Sequence, residues 1–205
     1  MVIGICGGSG SGKTTLVNQL AKHFHSYQPA VFSLDNYYKP IEEQTVDSNG
    51  KTNFDLPTAL DETKLTKDFH SLMNGEVVEV NEYQFNVKNA EDKRIKIEPS
   101  EVIIVEGLFL FSYKDLINQV DYIIFIDLPL SVQLERRINR DVKQRGYAME
   151  DVMYQWENHV IPCYNTYVLP HKSKADFLYH SDERSEGEFN RLIQVLEKKL
   201  ANNYE

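Results

Sequence analysis

Val2 to Thr15 reads VIGICGGSGSGKTT: a short apolar run, a string of glycines and serines, then a lysine and two threonines. Gly7 to Thr14 matches G-x-x-x-x-G-K-[ST] at every position. Its context gives the pattern meaning, with a strand before it (Val2 to Cys6) and an amphipathic helix after it, opening at Lys13 and marked by Leu16, Leu20 and Phe24. Gly7, Gly8, Gly10 and Gly12, with Ser9 and Ser11 between them, let the backbone curl so that successive N–H groups face phosphate oxygens. The helix adds the positive end of its dipole. Lys13 supplies a full charge to the β- and γ-phosphates, and Thr14 supplies a hydroxyl for Mg²⁺. This is a phosphate-binding loop for a nucleoside triphosphate.

The same alternation of strand and helix continues along the chain. Ala30 to Leu34 reads as a second strand. Pro57 reads as the first residue of a helix that turns Leu60, Leu65, Phe69 and Leu72 to the core. Val102 to Val105 (VIIV) and Tyr122 to Ile126 (YIIFI) are continuous apolar runs, as in strands buried on both faces of a parallel sheet. Leu130, Leu134 and Ile138 mark the next helix, and a long helical stretch follows through Trp156. Ala175 to Tyr179 reads as the last strand, and Phe189, Leu192, Val195, Leu196 and Leu200 as a closing amphipathic helix. The pattern predicts a three-layer α/β P-loop NTPase fold with a mainly parallel sheet, as a single domain over residues 1–205. One region interrupts it. Tyr83, Phe85 and Val87 alternate with polar residues, and so do Ile95 and Ile97 beyond a polar turn at Asn89 to Asp92. This predicts a β-hairpin insertion over about 77–98, placed to form a substrate pocket.

Composition narrows the function. The chain has 205 residues, 41% hydrophobic and 26% charged, with a formal net charge of −9. That acidic balance argues against general binding to nucleic acid or to a membrane surface and leaves a small-molecule partner as the expectation. No apolar run is long enough to span a bilayer, and no signal peptide precedes the glycine-rich loop. Cys6 and Cys163 do not make a disulfide framework, so a reducing, cytoplasmic setting is expected.

Ligands of open α/β sheets bind beyond the carboxyl ends of the strands. Three acids stand there: Asp35, Glu106 and Asp127. Asp35 is assigned as the base that takes the acceptor's proton, and Glu106 as a metal ligand with Thr14. Asp127 is read as a cap for the helix beginning near Pro129. Arg136, Arg137, Arg140 and Arg145 cluster on or just after one helix, with 137 and 140 on one face, and Gly146 ends the run. Over about 136–150 they read either as a helical lid neutralising a transferring phosphoryl group, or as a surface helix paired with Glu135 and Asp141.

Together these pieces resemble the uridine kinase (uridine-cytidine kinase) family, within the group that includes phosphoribulokinase and pantothenate kinase. The matching segments are Gly7 to Thr15, Asp35 to Lys39 (DNYYK), Asn53 to Pro57 (NFDLP), Val105 to Gly107, and Arg136 to Asp141 with Arg145-Gly146. The resemblance implies nucleotide binding through Thr15, catalysis by Asp35 with Lys13, Arg140 and Arg145, and ATP and Mg²⁺ as cofactors. It places Tyr38 and Gln155 in the substrate pocket, Asp55 and Arg137 on the sugar, and Tyr83 and Phe85 as an aromatic wall for the base. It implies phosphorylation of the 5′-hydroxyl of uridine or cytidine, and a homo-oligomer. The family pattern is departed from at Lys88, where a histidine is usual, and at Tyr147, where an arginine is usual. A kinase acting on another sugar-bearing or alcohol metabolite is therefore the alternative. A guanine-nucleotide switch is disfavoured, because neither N-K-x-D nor D-x-x-G is suitably placed.

Overall fold

The computed structural model describes residues 1–84 and 93–202. The chain opens with β1 (Val2–Gly7), α1 (Lys13–His23) and β2 (Ala30–Ser33). A small ribbon of β3 (Thr45–Val46) and β4 (Thr52–Asn53) precedes α2 (Glu62–Met73). The hairpin β5 (Val78–Asn81) and β6 (Arg94–Ile97) leads to β7 (Ile103–Glu106), α3 (Lys114–Ile117) and β8 (Tyr122–Asp127). Then come α4 (Leu130–Lys143), α5 (Met149–Gln155), α6 (Ile161–Cys163), β9 (Phe177–His180) and α7 (Ser185–Asn202).

Five strands form the main sheet in the order β2-β7-β1-β8-β9. Every neighbouring pair is parallel. Alternate side chains of β1 serve opposite faces, as a period of two requires. Ile3 and Ile5 pack with Leu16, Val17 and Leu20 of α1 and Leu192 and Leu196 of α7. Val2 and Cys6 join Leu65, Phe69 and Leu72 of α2 and Leu116 of α3. Helices thus cover both faces, giving the expected three layers, and the strands that read as uninterrupted apolar runs are the ones sandwiched between them. Among the described residues no helix is long and apolar enough to cross a membrane.

Three local expectations are corrected. The helix read from Pro57 is only a 3-10 turn, Pro57–Ala59. The α-helix begins at Glu62, where the Asp61 carboxylate accepts from the Lys64 N–H at 3.0 Å, an N-cap that proline cannot offer. The helical stretch expected to run through Trp156 continues by way of two π-helical segments, Trp156–Val160 and Tyr164–Val168, and a 3-10 segment ending at Lys174. Among the described residues the hairpin pairing begins earlier than the Tyr83 alternation implied: Val78–Asn81 pairs with Arg94–Ile97, Val78, Val80 and Ile97 are buried, and the Glu82 N–H donates to the Lys93 carbonyl at 2.8 Å. Phe85, Val87 and Lys88 fall outside the described residues.

Candidate active site

The loop from Gly7 to Gly12 leaves the carboxyl end of β1 and passes beneath α4. A Cβ on Gly8 would lie 2.0 Å from Gln133 Oε1, and one on Gly10 would lie 2.5 Å from the Gln133 carbonyl oxygen, with φ at +76°. At Gly10, where the obstacle is backbone and φ is left-handed, only glycine fits; at Gly8 the obstacle is the end of the Gln133 side chain. Gly12, also left-handed, is the N-cap of α1. Lys13 folds back over the loop, its Nζ donating to the Gly7 and Gly8 carbonyls at 3.1 and 3.2 Å. Thr14 and Thr15 are exposed in the first turn of α1, and Ser11 Oγ is buried without a partner among the described residues.

Glu106, at the end of β7, is buried and accepts from Ser33 Oγ at 2.6 Å. Burial, joined by the negative charge of Asp35, pushes its carboxyl up to about 7 against the pull of Lys13 and the Ser33 hydrogen bond. Asp35 stands on the short turn that ends β2, half-buried, with its N–H bonded to Ser33 Oγ at 3.4 Å. Asp127 does not cap α4. Its carboxylate pairs with Lys172 Nζ at 2.8 Å and lies 3.7 Å from His180 Nε2, and the cap position is taken by Pro129 with no side-chain bond.

The arginines sort by direction. Arg136 turns to the back of the loop, where its Nη1 donates to Ser181 Oγ at 2.9 Å and to the Ser11 carbonyl at 3.4 Å. Arg137 is buried. Its Nη1 donates to Ser9 Oγ and its Nη2 to Gln155 Oε1, both at 2.9 Å, and it lies 3.9 Å from Asp55 Oδ1. Arg140 and Arg145 converge on the buried Asp141, at 2.7 and 3.1 Å, and Arg137 Nε stands 3.2 Å from the same carboxylate. Burial pushes the Asp141 carboxyl up, but the three guanidiniums outweigh it and hold the group below the usual range. Arg137, Arg140 and Arg145 line the chamber and share Asp141 of α4 as counter-charge, whereas Arg136 turns away. The inward face of α4 is Gln133, Arg137 and Asp141, and the Leu134 and Ile138 stripe expected there is only half-buried. The reason is what α4 covers, a polar loop rather than an apolar sheet.

Asp55 is buried, which raises its carboxyl despite the nearby Arg137 and His159. Tyr38 sits between Phe54 and Tyr83, with ring centroids 6.0 and 5.0 Å away, and Asn36 Oδ1 accepts from the Tyr83 N–H at 3.2 Å. Burial holds the Tyr38 hydroxyl neutral, aided by Asp35 and Asp55. Ser9, Lys13, Asp35, Tyr38, Asp55, Arg137, Arg140, Arg145 and Gln155 all line one chamber of about 100 Å³. It opens into an adjoining hollow of about 470 Å³, the two sharing Phe54, Tyr83, Tyr147 and Gln155. The sequence reading missed Phe54, Asp141 as a hub, and His159. Asp141 had a signal, at i+4 from Arg137 and four residues before Arg145; His159 had none, being a lone histidine in a helical run.

Fold and site define a P-loop nucleotide-binding protein of kinase architecture, with a chamber beside the phosphate loop of a parallel sheet. The chain belongs to the phosphoribulokinase / uridine kinase family, whose model matches residues 2–184. It is 38% identical to the uridine kinase of Staphylococcus haemolyticus over 177 residues, 86% of each chain. A solved structure described as a possible uridine kinase from Bacillus stearothermophilus aligns at a TM-score of 0.58 with 23% identity, over 87% of both chains. Phosphoribulokinase from Rhodobacter spheroides aligns at 0.63 with 16% identity, over 87% of this chain and 69% of its own. Those two likenesses carry the fold.

Proposed function

We propose that the protein transfers the γ-phosphoryl group of ATP to the 5′-hydroxyl of a pyrimidine ribonucleoside, uridine or cytidine. The observation that carries this reading is that Ser9 and Lys13 of the phosphate loop, Asp35 and the buried carboxylate of Asp55 line one chamber. The first carboxylate suits a proton acceptor, the second a pair of sugar hydroxyls. Asp35 takes the proton as the hydroxyl oxygen bonds to phosphorus, and the loop N–H groups and Lys13 hold the departing diphosphate. Arg140 and Arg145 cover the transferring group. The base occupies the adjoining hollow, against Tyr83, Phe54 and Tyr147.

The donor set suits Mg²⁺. Thr14, in the first turn of α1, and Glu106, at the end of β7, offer hard oxygens beside the loop. No three His, Cys, Asp or Glu side chains form a metal cage among the described residues, as befits an ion that leans on substrate phosphates. Thr14 and Glu106 would hold Mg²⁺, which would supply charge neutralisation for the transferred phosphoryl group. The uridine kinase relatives favour a nucleoside over another alcohol acceptor. Tyr147, the departure that raised the alternative, lines the aromatic hollow and supports stacking in place of a guanidinium. Two free buried thiols fit a reducing cytoplasmic setting.

The test is ADP formation with Mg-ATP against uridine, cytidine, the purine nucleosides, ribose, ribulose 5-phosphate, pantothenate and nicotinamide riboside. Turnover confined to the pyrimidine ribonucleosides is expected; activity on another acceptor with none on these would move the assignment to that acceptor.

A further inference from the structure

His159 is the one imidazole lining the acceptor chamber, and only one of its two nitrogens is accounted for. It sits in the π-helical segment Trp156–Val160, and its side chain is 2% exposed. Single π turns recur where a helix is bent to present a side chain to a functional site. Its Nε2 lies 2.8 Å from Asp47 Oδ2, at the end of the β3–β4 ribbon. Asp47 also accepts from the Tyr154 hydroxyl at 2.7 Å and from the Asn49 and Lys51 N–H groups at 2.9 Å each. With the Tyr154 bond as the largest cause, these hold the Asp47 carboxyl well below the usual range, so it is a carboxylate and accepts only. Nε2 must therefore carry the proton it donates to Asp47. In the neutral ring Nδ1 is then a bare acceptor.

Nδ1 is buried and has no partner among the described residues. A latch between the ribbon and the helix explains Nε2, but it leaves a buried acceptor unsatisfied, at a cost that folded proteins rarely carry without a use. The location says what the acceptor is for. His159 lines the chamber that holds Asp35 and Asp55 and is absent from the lining of the adjoining aromatic hollow. It therefore faces the sugar end of the acceptor. A carboxylate and a bare nitrogen lining one chamber are complementary to two adjacent O–H donors, which is what a vicinal diol presents.

We propose that His159 is a specificity-determining residue whose Nδ1 accepts a hydrogen bond from one hydroxyl of the ribose diol, beside Asp55, with Asp47 fixing the ring's tautomer and orientation. This rests on the nucleoside reading of the same site.

The experiment compares kcat and KM at saturating Mg-ATP for uridine, 2′-deoxyuridine and 3′-deoxyuridine, in the wild type, His159→Gln and His159→Asn. Glutamine keeps a polar atom toward Asp47 and deletes the one at Nδ1; asparagine does the reverse. His159→Gln is expected to raise KM for uridine about 10-fold with kcat within about twofold, the size of one lost hydrogen bond to substrate. One deoxy analogue, the one lacking the hydroxyl that His159 reads, should be insensitive to the substitution, while the other loses as uridine does. His159→Asn should recover part of the loss. The comparison is among substrates within one preparation, so partial misfolding does not move it. Equal losses on all three substrates, or no loss on any, overturn the proposal and leave the nucleoside assignment standing. A wild type that phosphorylates no nucleoside overturns that assignment, and this inference with it.

Discussion

At the scale of single residues, two carboxylates a short distance apart carry different burdens. Asp35 is half-buried and lines the chamber, and it is the proposed base, so Asp35→Asn keeps the shape and removes that function. A fall in kcat of about 10²- to 10⁴-fold is expected, with KM for both substrates little changed, read by steady-state kinetics. Glu106 is the buried partner. Its carboxyl stands near 7 in the folded protein against 4.5 as its ordinary value, with burial the main cause. A raised acid binds its proton more tightly in the folded state. Its contribution is thus fully present below about pH 4.5 and is lost as pH rises through about 7. Glu106→Gln keeps an oxygen for the Ser33 hydroxyl and removes the titration. The variant's melting temperature, measured without ligands, should gain on the wild type by roughly 5 °C between pH 4.5 and 8. A constant difference across that range would show that Glu106 does not titrate there.

At the scale of elements, α4 is both the cover of the phosphate loop and the carrier of the arginines. Its cohesion depends on Asp141, the shared counter-ion of Arg137, Arg140 and Arg145. Arg140 and Arg145 keep access to water, but Arg137 is buried. Asp141→Ala therefore strands one buried guanidinium and frees two. A loss of about 3 kcal/mol is expected in chemical denaturation, together with a weaker hold on the acceptor. The same helix shows where the sequence was legible and where it was not. Its existence followed from periodicity, but its orientation did not. Leu134 and Ile138 advertise an apolar face, whereas the inward side is set by what lies beneath, and only the folded loop reveals that this is polar. Gly8 and Gly10 were legible as phosphate-loop glycines; that they also make room for Gln133 was not. The hairpin was legible as a hairpin, but the part played by Val78 and Val80 was not, because they resemble any short apolar run until their partners at Ile97 and Ile95 are known. His159 and Asp47 are 112 residues apart, and nothing local in either announces the other.

At the scale of the whole molecule, the layers that were read from apolar runs are the ones that isolate the thiols. Burial pushes the Cys6 thiol up to about 12 and raises Cys163 as well. In the folded protein at pH 8 neither should react with a disulfide reagent within minutes, and both should do so on unfolding; fast labelling of the native protein would contradict the packing. On the proposed function Mg-ATP is a ligand of the folded state alone, so at about 100 times its dissociation constant it should stabilise the protein by about 2.7 kcal/mol in a melting experiment.

The strand order has a consequence for biosynthesis. β1 leaves the ribosome before both of its partners, yet it lies at the centre of the sheet, between β7 and β8, with Val2 opposite Ile103 and Ile3 opposite Tyr122. Neither neighbour exists until everything from α1 to β6 has been made. Ile3 and Ile5 must therefore wait, unpaired, while the intervening segments emerge, and the nucleotide-binding loop takes its shape only once β7 and β8 arrive to close around β1.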